Sequence, residues 1–200
     1  MLPILSPKTH LTTRLDWCIT PLQFSPGRDK TSSRMNIGIL TISDRSARGE
    51  RTNASGPLII EFVTGRLSAA IARQAVIPDE FDLIRDTLTA WADQDDLDVI
   101  LTTGGTGFAP RDVTPEATRA VLHREAPGLA EAMRAASLAV TPHAMLSRAV
   151  AGIRGRTLII NLPGSPKAVR ENLAVIASVL PHAVQLLRDA PSAEAGHRLA

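Results

Sequence analysis

The sequence predicts an α/β fold: a mostly parallel sheet with helices on both faces. Three observations carry that expectation. Short runs of β-branched and aliphatic residues alternate with stretches whose apolar residues recur every three to four positions. The strand-like runs are each followed by a polar loop, several of them rich in glycine or proline. The chain is 44% hydrophobic but only 3% aromatic, with no tyrosine, so it can bury a sizeable core and that core is aliphatic. Two hundred residues suit one domain of ordinary size.

Taken in order, the pattern becomes sharp at Asn36. Residues 36–43, NIGILTIS, form a short apolar run of the kind a buried strand shows. Residues 44–56 are polar and rich in glycine and serine, a loop. Ser55 is placed to cap a helix with Pro57 in its first turn. Leu58, Ile59, Phe62, Val63, Leu67, Ala70 and Ile71 then keep helical spacing. Residues 72–77 read as a second strand closed by Pro78. Ile84, Leu88 and Trp91 return to helical spacing, and residues 97–103, LDVILTT, are the clearest strand in the chain. A short helix is expected from Pro115, with Thr114 as its cap. Another runs from about Gly128 with Leu129, Met133, Ala136 and Val140 on one face. Residues 156–162, RTLIINL, are the last strong strand. Pro166 opens the final helix, where Val169, Leu173, Ile176, Leu180, Val184 and Leu187 face inward and Pro181 kinks or restarts it.

Residues 1–34 do not read as fold, being rich in serine, threonine and proline without a period. Two readings stay open for them: a basic, hydroxyl-rich targeting peptide, or a dispensable extension ahead of a start at Met35. The prompt strand after Met35 favours the second. Residues 35–188 are the expected domain and 189–200 a loose tail.

The formal net charge is +2, but Lys8, Arg14, Arg28, Lys30 and Arg34 outweigh Asp16 and Asp29 in the first 34 residues, which leaves the rest close to neutral. A nucleic-acid binder would show a basic face with stacking aromatics, so that class is set aside. No apolar run approaches the roughly 18 residues a membrane span needs. Cys18, alone, can form neither an intrachain disulfide nor a structural zinc site, so a reducing, cytoplasmic setting is expected. His123, His143, His182 and His197 lack metal-ligand spacing and read as surface residues.

Four loops follow the strands: Ser43-Asp44-Arg45, Pro78-Asp79-Glu80, Thr103-Gly104-Gly105-Thr106-Gly107 running on to Arg111-Asp112, and Pro163-Gly164-Ser165-Pro166-Lys167. If the sheet is parallel there, all four meet at the carboxyl ends of the strands, where such folds bind ligands. Three glycines in four residues let backbone N–H groups approach an anion. The spacing fits neither a phosphate-binding P-loop nor a dinucleotide fingerprint. Ser165-Pro166 reads as a helix start, and a helix amino terminus suits a phosphate. An acid beside such a cradle repels the same anion unless a cation lies between, which makes Asp112 a candidate ligand for Mg²⁺ on a nucleotide phosphate. The bland alternatives are a salt bridge from Asp112 to Arg111 or a turn-stabilising role, N-capping for Asp79, and an Asx turn for Asp44.

The segments ILTISDRSARGE, VIPDE, DVILTTGGTGFAPRDVTPEAT, PGLAEAMR and MLSRAVAGIRGRTLIINLPGSPKAVRENL resemble the molybdopterin adenylyltransferases of the MogA/MoaB family, over roughly residues 36–188. Ser43-Asp44-Arg45 and the run from Arg111 to Glu116 look more like the adenylyltransferase branch than MoaB. The resemblance implies a three-layer α/β/α sandwich, a homotrimer, and transfer of AMP from ATP to molybdopterin with release of pyrophosphate. It implies Mg²⁺ with ATP as co-substrate, and a contact with the molybdenum-insertion protein. Carried over residue by residue, Asp79 and Asp112 are the expected catalytic and metal-binding acids. Ser43, Asp44, Arg45, Thr103, Gly104, Gly105, Thr106, Gly107, Ser147, Pro163, Gly164, Ser165 and Lys167 are the expected substrate-binding set, with Arg45 or Lys167 set to assist the leaving pyrophosphate. The rival readings are a non-catalytic, MoaB-like pterin-binding protein and a generic phosphotransferase that binds a mononucleotide without a pterin.

Overall fold

The computed structural model describes residues 34–189; the expectations for residues 1–33 and 190–200 lie outside the described residues. Along the chain run β1 (Met35–Ile42), α1 (Asp44–Ala47), α2 (Ser55–Arg66), β2 (Ala69–Ile77), α3 (Phe81–Gln94), β3 (Val99–Thr103), α4 (Thr114–Arg119), β4 (Arg124–Glu125), α5 (Pro127–Leu138), a 3-10 turn (Pro142–Leu146), β5 (Ala151–Arg154), β6 (Thr157–Leu162), α6 (Pro166–Ile176) and α7 (Leu180–Leu187). The six strands form one sheet in the order β2-β1-β3-β6-β5-β4. β2, β1, β3 and β6 are mutually parallel, β5 returns antiparallel to β6, and β4 is antiparallel to β5.

Side-chain alternation along the strands builds three layers. Ile37, Ile39, Val99, Leu101, Leu158 and Ile160 face one side, where they pack with Ile59 and Val63 of α2, Met133 of α5, Val169 and Leu173 of α6, and Leu180 of α7. Leu40, Ile42, Ile100 and Ile159 face the other, against Ile84 and Leu88 of α3 and Ala117 of α4. Leu40, Ile84, Leu88, Ile100 and Ile159 are all fully buried. The expected α/β sandwich is therefore the one found. No described helix is long and apolar enough to cross a membrane.

Several expectations are corrected. The helix does not continue through Ala70 and Ile71, which belong to β2 and pair with Asn36 and Ile37 of β1. β2 therefore starts three residues earlier than its apolar run suggests. Ser55 does not cap α2; Ala54 holds the cap position, and Gly56 N–H donates to the Asn53 side chain at 3.0 Å instead. Thr114 is the first residue of α4, not its cap, and makes no capping bond. Val140 lies past the end of α5 and is 60% exposed. The hairpin β5–β6, turning at Gly155 with φ 57°, has no counterpart in the sequence reading, because the β5 residues AGIR carry no strong strand pattern. Pro181 does separate α6 from α7, in the first turn of the latter.

In register, Thr41 pairs with Thr103, Thr103 with Leu162, and Ile42 with Ile77. The carboxyl ends of the four parallel strands thus finish at one level. At the opposite end Asp98, 3% exposed, accepts from the Asn36 N–H at 2.7 Å and from the Arg188 guanidinium, Nε at 2.7 Å. That partly buried pair ties the end of α7 to the sheet, at the edge opposite the loops that follow the four parallel strands.

Candidate functional site

The loop after β3 is shaped by two glycines in left-handed conformation, Gly104 (φ 102°) and Gly105 (φ 63°). A Cβ on Gly104 would stand 2.1 Å from the Ile42 carbonyl oxygen, so the turn can pass over the end of β1 only without a side chain. A Cβ on Gly105 would stand 2.3 Å from Thr114 Oγ1 and 2.9 Å from Asp79 Oδ1. The Thr114 N–H donates to the Gly105 carbonyl at 3.1 Å, which folds the start of α4 under the turn. The Thr114 hydroxyl is buried there without a hydrogen-bond partner.

Asp79 reaches this turn from the loop after β2. Asp112 reaches it from the far end of the same glycine loop, its Oδ2 lying 2.8 Å from where a Cβ on Gly107 would be. Burial pushes the Asp79 carboxyl above its ordinary value, the Asp44 N–H partly opposes this, and the negative charges of Asp44 and Asp112 push it further up. Glu80, not Asp79, holds the cap position of α3, and it makes no side-chain capping bond. Arg111 does not pair with Asp112; it grips Asp44 with two bonds at 2.9 and 3.0 Å. That grip holds the Asp44 carboxyl below its ordinary value. Asp112 does brace its own turn, accepting from the Ala109 N–H at 2.9 Å.

Two cavities flank the glycine loop. One, of about 400 Å³, is the more polar: Ser43, Asn53, Ser55, Thr103, Gly104, Gly105, Asp79, Asp112, Gly164, Ser165 and Arg51 line it, together with apolar groups such as Ile42, Ala54 and Pro166. Ser165 stands at the cap position of α6 with no side-chain capping bond, so its hydroxyl is available to a ligand. The other, of about 290 Å³, is mostly apolar, with Ala130 and Met133 of α5, Ala144 and Leu146 of the 3-10 turn, and Ala168 of α6. Thr106, Gly107, Ser147 and Pro163 border this second cavity. The Thr103 hydroxyl donates to the Pro163 carbonyl at 2.7 Å and the Ser55 hydroxyl to the Gly164 carbonyl at 2.9 Å, fixing the last loop between the two.

The sequence-predicted residues therefore divide. Ser43, Asp79, Thr103, Gly104, Gly105, Asp112, Gly164 and Ser165 line the polar cavity; Thr106, Gly107, Ser147 and Pro163 line the apolar one. Asp44, Arg45 and Lys167 line neither. Asp44 is a brace, Arg45 is exposed, and Lys167 points outward, its side chain 79% exposed and 3.9 Å from Glu171. Arg51, missed in the sequence, is the cation on the wall of the polar cavity; its loop, RGERTNASG, carries no signal beyond polarity. Arg148 was also missed, although its side chain takes hold of the glycine loop.

A divalent cation fits this donor set. Asp79 and Asp112 offer hard carboxylate oxygens, and the crowding of negative charge around Asp79 is what a cation would relieve. Among the described residues no three His, Cys, Asp or Glu side chains form a metal cluster. A cation here would therefore complete its shell with ligand oxygens and water, as Mg²⁺ does on phosphates.

Comparison with known proteins finds the family described as "Probable molybdopterin binding domain" matching residues 38–182. Gephyrin of Dictyostelium discoideum is 46% identical over 164 residues; the match takes in 78% of this chain but only 23% of gephyrin, so the chain spans about a quarter of that relative. A protein named molybdopterin adenylyltransferase from Helicobacter pylori (strain J99) is 43% identical over 154 residues, 76% of this chain and 88% of that protein. Among solved structures, the molybdopterin biosynthesis enzyme MoaB of Thermus thermophilus superposes with a TM-score of 0.74 at 54% identity, over 78% of this chain and 98% of that one.

Proposed function

The chain belongs to the molybdopterin-binding domain family, and on that premise we propose that it is a molybdopterin adenylyltransferase, an enzyme that transfers AMP from ATP to the terminal phosphate of the dithiolene pterin. The observation that carries the reading is that Asp79 and Asp112 both line the polar cavity and both reach the Gly105–Gly107 turn, Asp79 beside Gly105 and Asp112 beside Gly107, with the apolar cavity on the turn's other side. A planar heterocycle suits the apolar cavity, which offers a few polar groups such as Ser147 and Asn172 to orient it. The nucleotide phosphates suit the polar cavity, where the amino end of α6 supplies about half a positive charge.

In the reaction an oxygen of the pterin's terminal phosphate attacks the α-phosphorus of ATP. The bond from that phosphorus to the bridging oxygen breaks, and pyrophosphate leaves with the electron pair. Such a transfer needs positioning and charge neutralisation more than a strong base. Mg²⁺, when bound with ATP, would supply neutralisation of the repulsion between the two phosphates. Asp79 and Asp112 would hold it. The backbone N–H groups of the glycine turn and of the first turn of α6 would steady the phosphate oxygens. Arg51, on the wall of the polar cavity, is better placed than Arg45 or Lys167 to meet the departing pyrophosphate. A homotrimer and a contact with the molybdenum-insertion protein rest on the family resemblance, and a cytoplasmic setting on the single cysteine; native mass measurement tests the first.

Incubation with ATP, Mg²⁺ and the dithiolene pterin tests the reading. Adenylylated pterin and stoichiometric pyrophosphate are the expected products. Pterin binding without either product would favour a non-catalytic MoaB-like protein, and ATP turnover without pterin a generic phosphotransferase.

A further inference from the structure

Arg148 follows the 3-10 turn and lies outside every strand and helix, yet its side chain is committed in three directions. Its Nε donates to the Gly107 carbonyl at 2.6 Å, one terminal nitrogen to the Asp112 carbonyl and the other to the Glu116 carboxylate. Its backbone N–H donates to the Thr106 carbonyl at 3.0 Å. The Gly107 and Asp112 carbonyls are the two ends of the excursion that carries the exposed tip Phe108-Ala109-Pro110. One planar guanidinium therefore closes that excursion like a clasp. Inside the clasp the Asp112 carboxylate turns back to the Ala109 N–H. The neighbouring residue, Ser147, lines the apolar cavity, while Arg148 itself borders the surface beside Asp112.

We propose that Arg148 is the positioning residue for Asp112, setting the angle and reach of its carboxylate toward the cation-binding turn. The inference rests on the adenylyltransferase reading. Lysine cannot reproduce it: a single ammonium lacks the planar fork that meets three acceptors in fixed directions. A purely structural arginine would affect stability and leave the metal requirement alone. A positioning arginine shifts the metal requirement first.

The test is a Mg²⁺ titration of the full-length protein and of Arg148→Lys and Arg148→Gln, read in two ways: binding of a non-hydrolysable ATP analogue, and AMP transfer. The expected result for either variant is a Mg²⁺ concentration for half-saturation raised by about 10-fold or more in both readings, within the range for loss of a metal-supporting partner. The KM for the pterin should rise by less than the Mg²⁺ half-saturation, since Arg148 does not itself line the apolar cavity and meets its wall only through Thr106 and Gly107. Arg148→Lys serves if Arg148→Gln fails to fold, with thermal melts of both recorded alongside. An unchanged Mg²⁺ half-saturation overturns the proposal, as does a loss confined to pterin KM. If the wild-type protein itself shows no Mg²⁺ dependence, the adenylyltransferase reading falls, and this inference with it.

Discussion

Asp44 and Asp79 each accept the other's backbone N–H, at 3.1 and 2.8 Å, although they stand 35 positions apart on segments that follow different strands, Asp44 at the start of α1 and Asp79 in the loop after β2. Arg111 then fixes Asp44 from the glycine loop with two further bonds. The loops after β1, β2 and β3 are thus one network, with Asp79 at its inner end and Asp112 next in sequence to Arg111.

Asp44 lies outside both cavities, so its removal should act through Asp79. Asp44→Ala is expected to lower kcat for AMP transfer by about 10- to 100-fold, as loss of a supporting partner does, with pterin affinity unchanged. Steady-state kinetics with pterin binding measured separately checks this. An equal rise in the pterin dissociation constant would place Asp44 at the substrate instead.

Asp79 gives a pH prediction of definite sign. Its carboxyl is raised in the folded protein, by burial first and by the charges of Asp44 and Asp112 after it. At pH below the ordinary carboxylate value the group is protonated in both folded and unfolded chains, and its contribution is fully present. As pH rises through the raised folded value that stability is lost. Asp79→Asn is therefore expected to raise the melting temperature at neutral pH while abolishing AMP transfer. The acid limb of wild-type activity should fall at a pH above that of an ordinary aspartate, because a proton competes with the cation for Asp79. Thermal melts of the two proteins from pH 4 to 8, set against the rate profile, check both statements.

Gly105→Ala meets two obstacles: φ is 63°, and the new Cβ would stand 2.3 Å from Thr114 Oγ1. A cost of about 1–3 kcal/mol is expected from the backbone strain, and the displaced turn should also weaken nucleotide binding. Denaturant unfolding and nucleotide titration check the two effects.

Filling the apolar cavity should separate the two substrates. Ala168→Leu places a larger side chain on its wall and is expected to weaken pterin binding by about 10-fold or more, with ATP affinity unchanged. Isothermal titration with each ligand checks this; a loss confined to ATP would reverse the assignment of the cavities.

Most of the fold is legible in the sequence because buried parallel strands write themselves as continuous aliphatic runs; β1, β3 and β6 all show this. β5 does not, since its four residues mix alanine, glycine and arginine at the antiparallel margin of the sheet. The helix-to-strand boundary at Ala70 and Ile71 misleads because apolar residues at the end of one element and the start of the next share a spacing. Of the site, the glycines and the two acids announce themselves by type and position. The braces do not. Asp44 reads as a ligand group because it sits in a rim loop, and only the folded chain shows it facing Arg111. Arg148 reaches backbone carbonyls about 40 residues away in sequence, and no local pattern marks such a partner.

The central claim is that two carboxylates on separate loops meet at the glycine turn to hold one cation with the nucleotide. Titration of ATP into wild type, Asp79→Asn and Asp112→Asn, each with and without Mg²⁺, tests it most directly. The expected result is Mg²⁺-dependent binding in wild type, and in both variants the loss of that dependence with pterin binding intact. Variants that bind Mg²⁺–ATP and transfer AMP as wild type does would contradict it.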